Sequence, residues 1–149
     1  INAFRGAGRR FEFLGEVNGV TIADDYAHHP TELEATLRAA KEMDYKRVWA
    51  VFQPFTYTRT QMLLDDFARV LQIADKVVMT EIMGSRERAE DYAVRTKDLA
   101  AKIPGSVWYD TFDEVVDHVM KNARPGDLVI TLGCGDIYKA AKKMVAWEA

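Results

Sequence analysis

The densest chemistry in the sequence is the string Asp24-Asp25-Tyr26-Ala27-His28-His29-Pro30-Thr31-Glu32. Two acids and two imidazoles within six residues can bind a metal ion, exchange protons or hydrogen-bond a sugar hydroxyl. The structural alternative is local: His29 or Thr31 caps a helix, Pro30 sits in its first turn and the aspartates are solvated. A second cluster, Gln53-Pro54-Phe55-Thr56-Tyr57-Thr58-Arg59-Thr60, puts Arg59 in the first turn of a capped helix, the unfavourable end for a cation. A planar guanidinium there suits a substrate carboxylate or phosphate, unless it is a surface arginine beside Asp65 or Asp66. Gly133-Cys134-Gly135-Asp136 gives two glycines where a backbone can approach a ligand and helical N–H groups can face an anion. It is neither G-x-G-x-x-G nor a phosphate loop, and a tight turn capped by Asp136 explains it equally well. No base neighbours Cys134, which reads as a small buried residue and not as a nucleophile. Glu81 to Asp91 is a charged loop, mobile by default, from which Arg86 can reach a ligand. In Arg9-Arg10-Phe11-Glu12, strand alternation sends one arginine toward a covered face or site and the other toward water. His118, on a helix with Val115 and Val119, reads as structural.

The elements that must position these residues follow from pattern. Arg9 to Leu14 and Val20 to Ala23 read as strands joined through Asn18-Gly19, the pair favoured by a type I′ turn. Arg47 to Phe52, Lys76 to Ile82, Val107 to Tyr109 and Asp127 to Leu132 are further strands. Helical spacing marks four helices, through Leu33, Leu37 and Ala40, through Leu63, Phe67, Val70 and Leu71, through Phe112, Val115, Val116 and Val119, and through Ile137, Ala141, Met144 and Val145, with a weaker fifth at 96–103. Thr31 with Glu34, Thr58 with Gln61 and Thr111 with Glu114 each fit a capping box. Val48 to Phe52 and Leu128 to Leu132 are apolar throughout, as strands covered on both faces must be. The expected fold is α/β: a Rossmann-like, doubly wound, mostly parallel sheet flanked by helices, with an N-terminal β-hairpin at its edge. Ligands of such sheets bind beyond the carboxyl ends of the strands, where all four odd loops lie.

The chain has 149 residues, 48% hydrophobic and 29% charged, with net charge -3 and one cysteine. A chain of this size buries about 68–70% of its unfolded surface, enough for one core across residues 1–149, and two domains would be cramped. One cysteine excludes an internal disulfide and a multi-cysteine zinc site. No apolar run approaches the ~18 residues of a membrane span, and the weak acidity argues against a nucleic-acid binder working through a basic face. The first residue is Ile1, which raises the expectation that the segment belongs to a longer protein.

The string Asp24 to Glu32, with Gly8-Arg9-Arg10-Phe11-Glu12 before it and Gln53-Pro54 to Arg59-Thr60 after, resembles the C-terminal domain of the Mur ligases over about Phe4 to Tyr138. The resemblance implies three domains in the whole protein, one for the UDP-sugar, a central ATPase and this one, of which the chain holds only the last. It implies a cytoplasmic, ATP-dependent, magnesium-requiring ligase of peptidoglycan synthesis, with the metal held mainly outside this domain and no metal ligand within it. Within the family the match is to members that join L-alanine to UDP-N-acetylmuramate through an acyl phosphate. The implied partners are UDP-N-acetylmuramate, L-alanine, ATP and the central domain on which this one packs, with neither nucleic acid nor membrane. By motif match, Arg10 contacts the ATP phosphates and Asp25 the nucleotide, by its ribose. Tyr26, His28 and Arg59 sit near the incoming alanine and the acyl group. His28 and Arg59 are the catalytic candidates, and Arg59 suits the amino acid's carboxylate. Arg86 lies where related ligases read their amino acid. Phe55 and Thr56 depart from the family pattern and carry no assigned contact, and Cys134 replaces an alanine, which supports packing. The alternatives are the related ligase that attaches a recycled tripeptide to the same sugar, and a non-catalytic nucleotide or amino-acid binding module.

Overall fold

The computed structural model describes residues 11–148, so Arg10 and its neighbour Arg9 lie outside the described residues. β1 (Glu12–Val17) and β2 (Val20–Asp25) form the expected antiparallel hairpin, with Asn18 at φ 52° and Gly19 at φ 82°, as a type I′ turn requires. α1 (Pro30–Lys41), β3 (Arg47–Phe52), α2 (Tyr57–Met62), α3 (Leu64–Leu71), β4 (Lys76–Thr80), α4 (Thr96–Ala100), β5 (Val107–Tyr109), α5 (Phe112–Asn122), β6 (Asp127–Leu132) and α6 (Tyr138–Val145) follow. The six strands lie in the order β1-β2-β6-β3-β4-β5, parallel except for the β1–β2 edge. This is the mostly parallel, helix-flanked sheet that the apolar strands demanded.

Alternation divides the strand side chains between two cores. Val48, Ala50, Phe52, Leu128, Ile130 and Leu132 face α1, α3 and α4, while Trp49, Val51 and Val129 face α5 and α6. Helical spacing supplies the covering stripes, Leu33 and Leu37 from α1, Phe67, Val70 and Leu71 from α3, and Val115, Val116 and Val119 from α5. Among the described residues no helix is long and apolar enough to cross a membrane.

Three local readings need correction. α1 is capped by His29 with Glu32, not by Thr31 with Glu34, because Pro30 takes the first helical position and makes its predecessor the cap. Thr58 lies inside α2, whose cap is Thr56, and a break at Leu63 separates α2 from α3. β4 stops at Thr80, before Ile82. The box of Thr111 with Glu114 stands as read.

Candidate functional site

The strand ends converge at one edge of the sheet. Asp25 is level with Leu132, Leu132 with Phe52 and Phe52 with Met79, so the loops after β2, β6, β3 and β4 emerge side by side. The β3 and β4 loops are joined directly: Thr56 N–H donates to the Met83 carbonyl and Met83 N–H to the Pro54 carbonyl, both at 2.9 Å.

After β2, Asp25 turns inward and is only 5% exposed. Its oxygens accept from Ala27 N–H at 2.8 Å and the Thr36 hydroxyl at 3.2 Å, which fixes the loop; a nucleotide contact would have to share them. Tyr26 is 46% exposed at the mouth. The His28 ring stands edge-on between Tyr26 and Phe55, with centroids at 5.7 and 6.4 Å, and so ties the β2 loop to the β3 loop. Its Nδ1 lies 3.2 Å from the Tyr26 carbonyl and 3.4 Å from Glu32 Oε1, both acceptors. Those neighbours place the proton of the neutral ring on Nδ1 and the lone pair on Nε2. His29 has the opposite arrangement, its Nδ1 accepting from Thr31 N–H at 3.2 Å as the cap of α1. Of the two adjacent histidines, His29 is thus the cap of α1 and His28 is not. Burial pushes the Glu32 carboxyl up, but bonds from His28 and His29 N–H and the nearby imidazoles outweigh it and hold Glu32 below the usual range.

Arg59 is the third residue of α2, where its N–H donates to the Thr56 hydroxyl at 3.2 Å. Thr56, at φ 66°, is therefore the cap of α2. The expected alternative of Arg59 beside Asp65 or Asp66 does not arise, since Asp65 meets Lys102 and Asp66 meets Arg69. Among the described residues Arg59 has no acid partner. It borders an open cleft of about 370 Å³ with His29, Thr56, Thr58 and Met62. Its field reaches Cys134, whose half-buried thiol is pushed up by desolvation and drawn partly back by Arg59.

The glycine loop serves the protein's own packing. Gln53, 4% exposed, donates from Nε2 to Asp136 Oδ1 at 2.9 Å, so Asp136 holds β3 and does not cap α6. A Cβ at Gly135 would lie 2.5 Å from Gln53 Oε1, and one at Gly133 3.1 Å from the Gln53 carbonyl. The space that the glycines leave is filled by Gln53.

Arg86 is exposed on the loop after β4. The loop itself, expected to be mobile, is hydrogen-bonded along its length. Glu87 accepts from Tyr57 N–H, Thr58 N–H and the Thr58 hydroxyl, and Arg95 donates to the carbonyls of Ala89, Tyr92 and Val94. Gln53, Thr56 and Glu87 are the site residues that sequence reading missed. For Thr56 a hydroxyl at the helix start was signal enough, whereas Gln53–Asp136 and Glu87–Thr58 join positions far apart in the chain.

Around this edge, burial pushes Asp24 and Glu81 up as well, with acidic neighbours adding to it. Among the described residues no three His, Cys, Asp or Glu side chains are grouped to hold a metal ion.

The model of the Mur ligase glutamate ligase domain matches residues 9–135. A UDP-N-acetylmuramate--L-alanine ligase of Acetivibrio thermocellus is 43% identical over 98% of the chain and 33% of its own length. The crystal structure of a UDP-N-acetylmuramate-alanine ligase from Thermotoga maritima superposes with TM-score 0.74 at 24% identity, over 93% of this chain and 29% of that one. A murein peptide ligase from Psychrobacter arcticus gives 0.72 at 25% identity, over 93% and 29%. The chain spans about a third of the length of the curated relatives it matches.

Proposed function

This chain belongs to the Mur ligase family, and from that premise we propose that it is the C-terminal domain of an ATP-dependent ligase that joins L-alanine to UDP-N-acetylmuramate in peptidoglycan synthesis. In this reading two further domains of the whole protein hold the UDP-sugar and the ATP phosphates, and this one packs on the ATPase domain. The observation that carries the reading is the presence, on neighbouring loops of one sheet edge tied by the His28–Phe55 contact, of a histidine whose Nδ1 faces two acceptors and an arginine without an acid partner among the described residues. An amino acid presents an ammonium that must lose a proton and a carboxylate that must be held, and these two side chains match those two groups.

The chemistry requires an activated acyl group, because a carboxylate expels oxide too poorly to acylate an amine. ATP supplies this by phosphorylating the muramoyl carboxylate. The alanine nitrogen then attacks the acyl carbon, the carbon–oxygen bond to phosphate breaks, and the nitrogen sheds its protons. His28 Nε2 is placed to take one of them, and Arg59 to grip the alanine carboxylate bidentately. Tyr26, exposed beside His28, would line the approach, and Arg86, exposed on the loop after β4, remains a weaker candidate for reading the amino acid. Arg10 and Asp25 remain the nucleotide-side candidates. In this reading Mg2+ and the phosphoryl step belong mainly to the rest of the protein.

ADP release from the full-length protein, with UDP-N-acetylmuramate and either L-alanine or the tripeptide as acceptor, tests this. We expect release with L-alanine and little with tripeptide, and none from the 149-residue chain alone. Preference for the tripeptide, or turnover by the isolated chain, would overturn the reading.

A further inference from the structure

We propose that Glu87 is a positioning residue for the amino-acid site: it clamps the β4 loop onto the start of α2 and so fixes Arg59. This rests on the reading that Arg59 holds the alanine carboxylate.

The first N–H groups of a helix have no partner within it. In α2, Tyr57 and Thr58 give theirs to Glu87 Oε1, and Arg59 gives its own to the Thr56 hydroxyl. Glu87 Oε2 takes the Thr58 hydroxyl, which also lies 3.1 Å from the Tyr92 hydroxyl. One carboxylate from a loop thirty residues on therefore completes the cap that Thr56 begins. A tight turn presents it: Glu87 N–H donates to the Gly84 carbonyl at 3.0 Å, with Ser85 at φ 60°. Gly84 has no room for a side chain, since a Cβ there would lie 2.9 Å from the Tyr57 ring. Tyr57 and Tyr92 stack at 5.6 Å and 11°, and the Arg95 guanidinium covers Tyr57 at 5.5 Å.

Charge explains why an acid is used. Arg59 sits at the positive end of α2, where the helix dipole opposes it, and Asp65 and Asp66 are committed to Lys102 and Arg69. Glu87 places a negative charge at that end without pairing with the Arg59 head group, which stays available for a substrate anion. The hydroxyl of Thr58, followed by the N–H groups of Thr58 and Tyr57, keeps the Glu87 carboxyl below the usual range and hence ionised.

The test is steady-state kinetics of the full-length enzyme with Glu87→Ala, Glu87→Gln, Thr58→Val and Arg59→Ala. Glu87→Ala should raise the KM for L-alanine about tenfold while kcat and the KM values for ATP and UDP-N-acetylmuramate stay within about twofold. Glu87→Gln, which keeps an acceptor oxygen for both backbone donors but removes the charge, should recover only part of that loss, and Thr58→Val should show about a threefold rise. If Arg59→Ala raises the alanine KM but Glu87→Ala and Thr58→Val do not, the clamp has no role in the site. If Glu87→Ala unfolds the protein, Thr58→Val decides, and an unchanged alanine KM overturns the proposal. A uniform rise in all three KM values also overturns it, as that marks general destabilisation. If Arg59→Ala itself leaves alanine use intact, the assignment of Arg59 falls, and the clamp's role with it.

Discussion

At the amino end of the sheet, Asp127 is 1% exposed and accepts from the Arg47 guanidinium, the Trp49 indole N–H at 3.0 Å and Arg124 N–H at 2.9 Å. At the carboxyl end, Arg59 has no acid partner among the described residues, and Asp24 carries one hydroxyl bond, from Thr131 at 2.7 Å, against two nearby acids. Burial pushes both aspartates up. Arg47, Arg124 and Trp49 pull Asp127 back below the usual range, whereas Thr131 cannot do so for Asp24. Asp75, held down by Lys41 and Val48 N–H against its own burial, repeats the first pattern, and Glu81 and the Cys134 thiol repeat the second. Glu32 and Glu87 depart from it because they satisfy helix starts. One end satisfies its charges within the fold and the other does so less completely, and perturbed groups of the second kind mark a candidate working face.

Breaking that contrast should cost most at Asp127. Asp127→Ala strands a half-buried arginine, an indole N–H and a backbone N–H, and should lower stability by about 3 kcal/mol in urea unfolding. Once folded, the variant full-length enzyme should keep its alanine KM. Gly135→Ala drives a Cβ into Gln53 Oε1 and should cost about 1–2 kcal/mol by overpacking. Unlike Asp127→Ala it should also reduce turnover, because Gln53 borders the working loops. Thr111→Ala removes the α5 cap at the outer strand of the same edge and should cost about 1 kcal/mol in thermal unfolding without changing substrate use. The smallest effect has the opposite sign. Asp24→Asn should be neutral or stabilising by less than about 1 kcal/mol near pH 7, since a carboxyl whose folded pKa is raised opposes folding once ionised.

The pH dependence sharpens the same comparison. Asp127 and Asp75 are depressed in the fold, so their contribution is complete above the ordinary carboxylate value of about 3.9 and is lost as pH falls through the folded values. Asp24 contributes in the other direction, its penalty easing as pH falls through its raised value. Stability measured from pH 6 to pH 2 should fall less steeply in Asp127→Asn than in the parent, and more steeply in Asp24→Asn.

Pattern alone placed β3, β5 and β6 at their observed limits, because apolar runs bounded by turn residues leave little choice of register. The helices were legible by their stripes, but the first residues of α1 and α2 were not. A Thr-x-x-Glu spacing is met by chance, whereas Pro30 and the positive φ of Thr56 decide where α1 and α2 begin. His28 and Arg59 were visible as residue types at a strand-to-helix turn. The surroundings of the His28 ring were not, because they consist of a carbonyl and a carboxylate that only the folded loop brings within reach. The packing of the glycine loop was hidden for a similar reason: the group that it admits is Gln53, 82 positions before Gly135 in the chain. Glu87 lay in a charged stretch whose composition says nothing about which carboxylate is aimed at a helix.

The most direct measurement is the alanine dependence of the full-length enzyme carrying Arg59→Ala. The KM for L-alanine should rise at least tenfold, roughly the worth of one charged hydrogen-bonded pair, with the KM for ATP within twofold and the melting temperature unchanged. A change confined to ATP, or an unchanged alanine KM, would contradict the placing of the amino-acid site on this edge of the sheet.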